Sequence, residues 1–222
     1  MIQSKSSKEF VFSRRKPNLT HELTVHPNLS ALLESDDISL SDCAIEGGHI
    51  GQGSKDSLSI DGSTLDRVNL SDTSYRSIVL TDVRLVNCDL ANFETQASKI
   101  VRVEFINCRM TGFRAGRADC QHILIAEGDQ RYSEFRFSKF KAAEFNSCNF
   151  EEADFHGTDL TGSQFRRCNL KRAEMNEVKL VDADLSGSVV DGLKLNAEDI
   201  RGAWVDASQA MLFASLLGIR IT

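Results

Sequence analysis

Six cysteines, five histidines and 32 acidic residues are the side chains of this chain that could do chemistry. Cys88, Cys108, Cys148 and Cys168 stand at multiples of twenty residues from one another. Thiolates at regular spacing are the raw material of zinc sites and redox pairs. Zinc needs ligands that converge as a tetrahedron, and no histidine accompanies this series. His21, His26, His49, His122 and His156 are scattered. No glycine-rich phosphate loop or Ser-His-Asp logic is present. The chain is therefore expected to be non-catalytic, with no metal and no cofactor.

The cysteines need a placement, and the placement comes from a repeat. Taken in blocks of five, the last residue is large and apolar from Leu40 through Leu65, Leu90, Phe140 and Phe165 to Ile200. Lys55, Thr95, Ala115 and Gln130 interrupt this column. Two residues earlier lies a second column of small residues, such as Ser63, Cys88, Ala118, Ser138, Ala153 and Cys168. A period of five fits neither a helix nor a flat strand. It fits a chain that turns a corner every five residues and points one large and one small side chain inward. Four sides close a coil in about twenty residues, and stacked coils sit about 4.8 Å apart. The stack buries a core that no single coil could bury.

A twenty-residue coil makes further claims. The four cysteines become one inward column of small, buried thiols, with Gly128 as the missing rung beside the aberrant Gln130. Phe93 and Phe113 precede Thr95 and Ala115, so each block has exchanged its large and small residues at similar volume. The two rings should lie one above the other. Lys99, Asp119, Lys139, Asp159, Lys179 and Asp199 alternate in sign along one face, which makes that face neutral. Glu94, Arg114, Glu134, Asp154, Glu174 and Lys194 form a second column with a mild acidic excess.

Ala153-Asp154-Phe155-His156-Gly157, Cys168-Asn169-Leu170 and Ala183-Asp184-Leu185-Ser186-Gly187 resemble the pentapeptide-repeat family, whose pattern is roughly A-(D/N)-L-x-x. The resemblance spans about residues 38 to 205. It implies an all-β, right-handed quadrilateral β-helix of about eight coils, about 40 Å long. The segments expected are an N-terminal arm and cap (1–37), the repeat (38–205) and a C-terminal helix and dimerisation tail (206–222). Asn28 to Ser35 reads as a short capping helix and the residues before it as a polar arm, with Arg14, Arg15 and Lys16. At the other end Asp206 and Gln209 form a capping-box pattern. A helix is expected over Ala207 to Leu217, burying Ala210, Met211, Phe213, Ala214 and Leu217. Gly218 ends it, and Ile219 to Ile221 should form a short strand.

This tail resembles those of quinolone-resistance (Qnr-like) pentapeptide-repeat proteins, which implies a head-to-head homodimer. Trp204, Met211, Phe213 and Leu217 are the candidates for its interface. Val86, Ile106 and Leu124, with the acids Glu134, Asp154 and Glu174, are candidates for a protein partner's site near the irregular stretch 121–133. The expected role is a non-catalytic binding or scaffold rod. The alternative that the resemblance implies is a DNA-mimic protein binding DNA gyrase or topoisomerase IV. The net charge of -6 disfavours direct nucleic-acid binding. No apolar run reaches the roughly 18 residues of a membrane span. Met1 to Phe12 lacks an apolar secretory core, so a cytoplasmic protein with reduced thiols is expected.

Overall fold

Every fifth residue turns the backbone. Asn87, Asn92, Asn107, Gly112, Arg117 and His122 all have φ between 51° and 68°. This left-handed region suits glycine, asparagine and aspartate and penalises bulkier residues. At Asn92 the corner is closed by the Phe93 N–H, which donates to Leu90 O at 3.2 Å. Positive φ at the third residue of such a turn defines type II geometry. The Asp or Asn that precedes each large inward residue has a matching task. Asp154 Oδ1 accepts from the His156 N–H at 2.8 Å, and Asp184 Oδ1 from the Ser186 N–H at 2.9 Å. Both are Asx turns that occupy a backbone donor at the corner.

The computed structural model describes residues 12–19, 22–26, 35–49 and 53–220, apart from the side chains of His26 and Leu217. Twenty residues carry the backbone back over itself. Leu85, Phe105, Ile125, Phe145 and Phe165 are consecutive parallel partners. One bridge column runs His49, Asn69, Asp89, Arg109, Asp129, Asn149, Asn169, Val189. Its eight rungs mark seven coil-to-coil steps, all parallel and without a slipped register. The fold is a mostly-β, four-sided solenoid followed by one helix. Three long strands, Gly53–Asp61, Thr73–Val86 and Glu94–Ile106, keep their strand pairing through the corner positions Ser57, Ser77 and Ala97. The left-handed corner on that side first occurs at Arg117.

The core is a set of vertical columns. Phe93 and Phe113 stack with centroids 5.7 Å apart and planes 5° apart, so the exchanged blocks meet as expected. Tyr75 lies before them, and Phe135 and Phe155 after, in one aromatic ladder. Cys88, Cys108, Cys148 and Cys168 are free and buried. Each thiol donates to the carbonyl 23 residues before it, Cys148 to Ile125 O at 3.1 Å for example. Thr158 and Ser138 use their hydroxyls in the same way. Cysteine thus serves here as a compact weak donor.

The stretch 121–133 keeps its register, since Asp129 and Glu134 both bridge to the coils on either side. Gln130 stands at the position of a large inward residue and is fully buried.

At the C-terminal end the capping box is complete. Asp206 Oδ1 accepts from the Gln209 N–H, and Gln209 Oε1 accepts from the Asp206 N–H, both at 3.0 Å. Helix α1 spans Ala207–Ala214, and Ser215–Leu217 continues as a 3-10 turn ending at Gly218. Its buried face differs from the expected one. Gln209 is the buried residue, and its amide donates to Leu185 O and Ser188 O at 2.8 and 2.7 Å. Anchoring Gln209 brings Phe213, one turn on, against the core. Ala210 and Met211 are thereby turned outward and are exposed. Ile219 and Arg220 are not in a strand. Ile221 and the expected helix after Asn28 lie outside the described residues, except Ser35, which is in a bend.

Candidate interaction surfaces

A filled solenoid offers its outside. Internal voids of about 20 and 10 Å³, lined by side chains such as Leu58, Ile60, Ile100 and Phe113, are too small for a substrate or cofactor. Burial pushes the Cys120 thiol up, and each of Cys108 and Cys148 is held up by the thiol stacked on it and by burial. Thiols in this state are poor nucleophiles. Among the described residues no cluster of three or more His, Cys, Asp or Glu could hold a metal.

The two charged columns lie where the register puts them, apart from Asp199, which sits in a turn and accepts from the Asn196 N–H at 2.8 Å. Lys99, Asp119, Lys139, Asp159 and Lys179 are successive partners. Glu94, Arg114, Glu134, Asp154, Glu174 and Lys194 form the other column. Its acids are not left bare. Arg114 lies 3.2 Å from Glu94 and 3.6 Å from Glu134. Arg136 pairs with Asp154 at 3.2 Å and Lys194 with Glu174 at 3.3 Å. Glu134, Asp154 and Glu174 thus share one face, but each has a cation beside it. Arg136, on a neighbouring column, is the partner that adding up one column misses.

Val86, Ile106 and Leu124 fall on one side of the rod and are half-buried. Val86 and Ile106 are direct partners, while Leu124 lies in the column of Arg84, Glu104 and Glu144. That column holds a feature absent from the sequence reading. The segment expected as a polar arm is packed on the rod in its described residues. Arg14 Nη2 lies 3.0 Å from Glu104 Oε1, and Arg14 Nε lies 3.8 Å from Glu144 Oε2. Glu104 and Glu144 flank Leu124 in the ladder, so the guanidinium spans the Leu124 rung. The Arg14 side chain is only 8% exposed. Further along, the Arg15 N–H donates to His122 Nδ1 at 3.3 Å, and the Asn18 N–H to Asp82 Oδ1 at 2.7 Å. The Thr24 N–H donates to Asp42 O at 2.8 Å, and Thr24–His26 pairs with Cys43–Ile45. His122, Asp82 and Asp42 descend two coils at a time, so the described arm residues follow one edge from mid-rod to the first coil. One signal was present in the sequence. Glu104 is a charge between Val103 and Phe105, and it needs a cation if its side is covered.

The tail presents the other surface. Trp204 is 57% and Met211 56% exposed, and Leu212, Leu216 and Ile219 are exposed beside them in sequence. Phe213 is half-buried against the core and is removed from the exposed set. The side chain of Leu217 lies outside the described residues.

Corners every five residues, a twenty-residue parallel register and a solid core define a solenoid that meets other molecules only through its surface and ends. Residues 148–187 match the family of pentapeptide repeats as eight copies, a family generally without catalysis. No curated protein matches the chain. Among solved structures, a trypsin-treated form of QnrB1, a plasmid-mediated fluoroquinolone resistance protein, is similar at 18% identity and a TM-score of 0.49. The match covers 90% of this chain and 99% of that one. HetL, involved in heterocyst differentiation regulation in the cyanobacterium Nostoc, is similar at 17% identity and a TM-score of 0.32. It covers 85% of this chain and 91% of that one. No helix among the described residues is long and apolar enough to cross a membrane.

Proposed function

We propose that this chain is a non-catalytic protein-binding rod that pairs with a second copy through its C-terminal end. In this reading the chain divides into an arm and cap (1–37), a rod (38–205) and a dimerisation tail (206–222). The observation that carries it is the exposed apolar tail: Trp204, Met211, Leu212, Leu216 and Ile219 beside the solid last coil. Apolar side chains gathered at one end of a rod gain from being covered. Sedimentation velocity is the direct test. The wild type should sediment as a dimer, and Trp204→Glu with Met211→Glu as a monomer of unchanged melting temperature. A monomeric wild type at tens of micromolar would remove the pairing.

The narrower reading takes DNA gyrase or topoisomerase IV as the partner. It rests on the resemblance of the tail, and the cations beside Glu134, Asp154 and Glu174 speak against imitation of a duplex. Supercoiling assays with purified protein, with and without a quinolone, decide it. Inhibition or relief of the drug's effect near stoichiometry supports that partner, and no effect at large excess removes it.

A further inference from the structure

The seat of Arg14 is built from parts that do not depend on Arg14. Glu104 gives Oε2 to Arg84 Nε at 2.9 Å and keeps Oε1 for Arg14. Glu144 has Oε1 at 3.5 Å from Arg166 and keeps Oε2 toward Arg14. Glu104 is thus oriented by a hydrogen bond from Arg84 on an adjacent coil, while Glu144 stands at ion-pair distance from Arg166 and from Arg14 Nε, which has no hydrogen-bond partner. Between them Leu124 supplies an apolar floor one rung wide. With Arg14 in place Glu104 is 4% exposed, so in the seated state the acceptor is desolvated and its charge weakly screened. A planar guanidinium carries donors on several edges and can address two acceptors at once, which an ammonium on one stem does less well. Beyond the seat, His122 and Asp82 accept backbone N–H groups from Arg15 and Asn18. Backbone contacts of this kind take an extended segment without reading its side chains.

We propose that Glu104, Leu124 and Glu144, with His122 and Asp82 along the same edge, form a recognition site for an extended segment bearing an arginine. The chain's own arm is the resident ligand, and an extended basic segment of a partner takes the site in exchange for it. This goes beyond the pairing of two rods and uses a different surface. It also gives the rod a state in which the arm is free and the edge engaged by another protein.

The test uses the full chain and a fluorescent peptide of the sequence of residues 10–20, read by anisotropy. The wild-type protein should bind it weakly, because the arm competes in cis. Arg14→Ala in the protein should strengthen binding on the order of tenfold or more, since a desolvated charge-assisted contact of the competitor is gone. The peptide carrying Arg14→Ala should bind neither protein, and adding Glu144→Gln to the Arg14→Ala protein should reduce the gain. In the wild type, excess peptide should speed hydrogen exchange at the Arg15 and Asn18 amides. Equal binding of the two peptides, or no binding to the Arg14→Ala protein, overturns the proposal. If Arg14→Ala does not stay folded, Arg14→Lys replaces it, with a smaller gain expected. No gain there counts as failure too.

Discussion

The side-chain amide of Gln130 lies in the room left by Gly128. A Cβ on Gly128 would overlap Gln130 Nε2 and would also come within 2.6 Å of Cys108 O. Gln130 is fully buried, and neither its Nε2 nor its Oε1 has a hydrogen-bond partner. The gap in the cysteine column and the gap in the large apolar column are therefore one event. A side chain bent out of one site fills the other.

A buried amide without partners costs about 1 to 3 kcal/mol. Gln130→Leu should raise stability by an amount of this order, measured as a shift in the urea midpoint. Gly128→Ala should destabilise the wild type, and destabilise the Gln130→Leu protein less. Some cost should remain in both, because Cys108 O stays where it is. Additive effects of the two substitutions would contradict the shared space.

The aromatic ladder predicts a steeper loss. Phe155 is fully buried, stacked on Phe135 at 5.4 Å and edge-on to Phe150 at 5.3 Å. Phe155→Ala should cost about 3 to 5 kcal/mol through lost transfer energy and a cavity. Phe155→Asp or Phe145→Asp should prevent folding, since each buries an unpaired charge. A soluble variant with unchanged melting temperature would refute the inward assignment.

The tail predicts a measurable anchor. Gln209→Ala leaves Leu185 O and Ser188 O without the amide that now serves both. The expected loss is about 1 to 3 kcal/mol, and α1 should detach before the rod melts. Trp204 is the chain's one tryptophan, so its emission reports on this end alone. In the proposed dimer the emission should shift to the blue as protein concentration rises. A concentration-independent spectrum would count against burial of Trp204.

The arm predicts a pH dependence. His122 is held below its usual pKa by burial, and then by the charges of Arg15, Arg102, Lys141 and Arg14. Its Nδ1 accepts from the Arg15 N–H and so must be unprotonated. With the folded value below the unfolded one, the unfolded chain binds the extra proton between them. The contribution of His122 is present above about pH 6.5 and is lost as pH falls through the folded value. An NMR titration should place the His122 pKa below that of the exposed imidazole, and Arg15 exchange should accelerate at the acid end. A His122 pKa above 6.5 would show that the imidazole does not accept this bond.

Much of the rod was legible because its information is periodic. The five-residue column, the twenty-residue coil and the Phe93–Phe113 exchange follow from a spacing that repeats and can be checked against itself. The charged columns were legible for the same reason, although Arg136 beside Asp154 was not, since it reaches across from another column. The helix and its capping box were read from Asp206 and Gln209, but its buried face was not. Apolar spacing pointed to Met211, while two hydrogen bonds from Gln209 to the last coil set the rotation.

What the sequence by itself determined is the solenoid. Each corner is local, and each rung is set by a neighbour at constant separation. Only the tertiary structure decided where the arm goes and how the core closes at Gln130. Arg14 meets Glu104 across 90 residues, and no repeat encodes that distance. Whether an outward acid is solvated or sealed, and whether a glutamine finds room in the next column, depends on which surfaces come together. That is a property of the packed coil stack, and no five-residue word carries it.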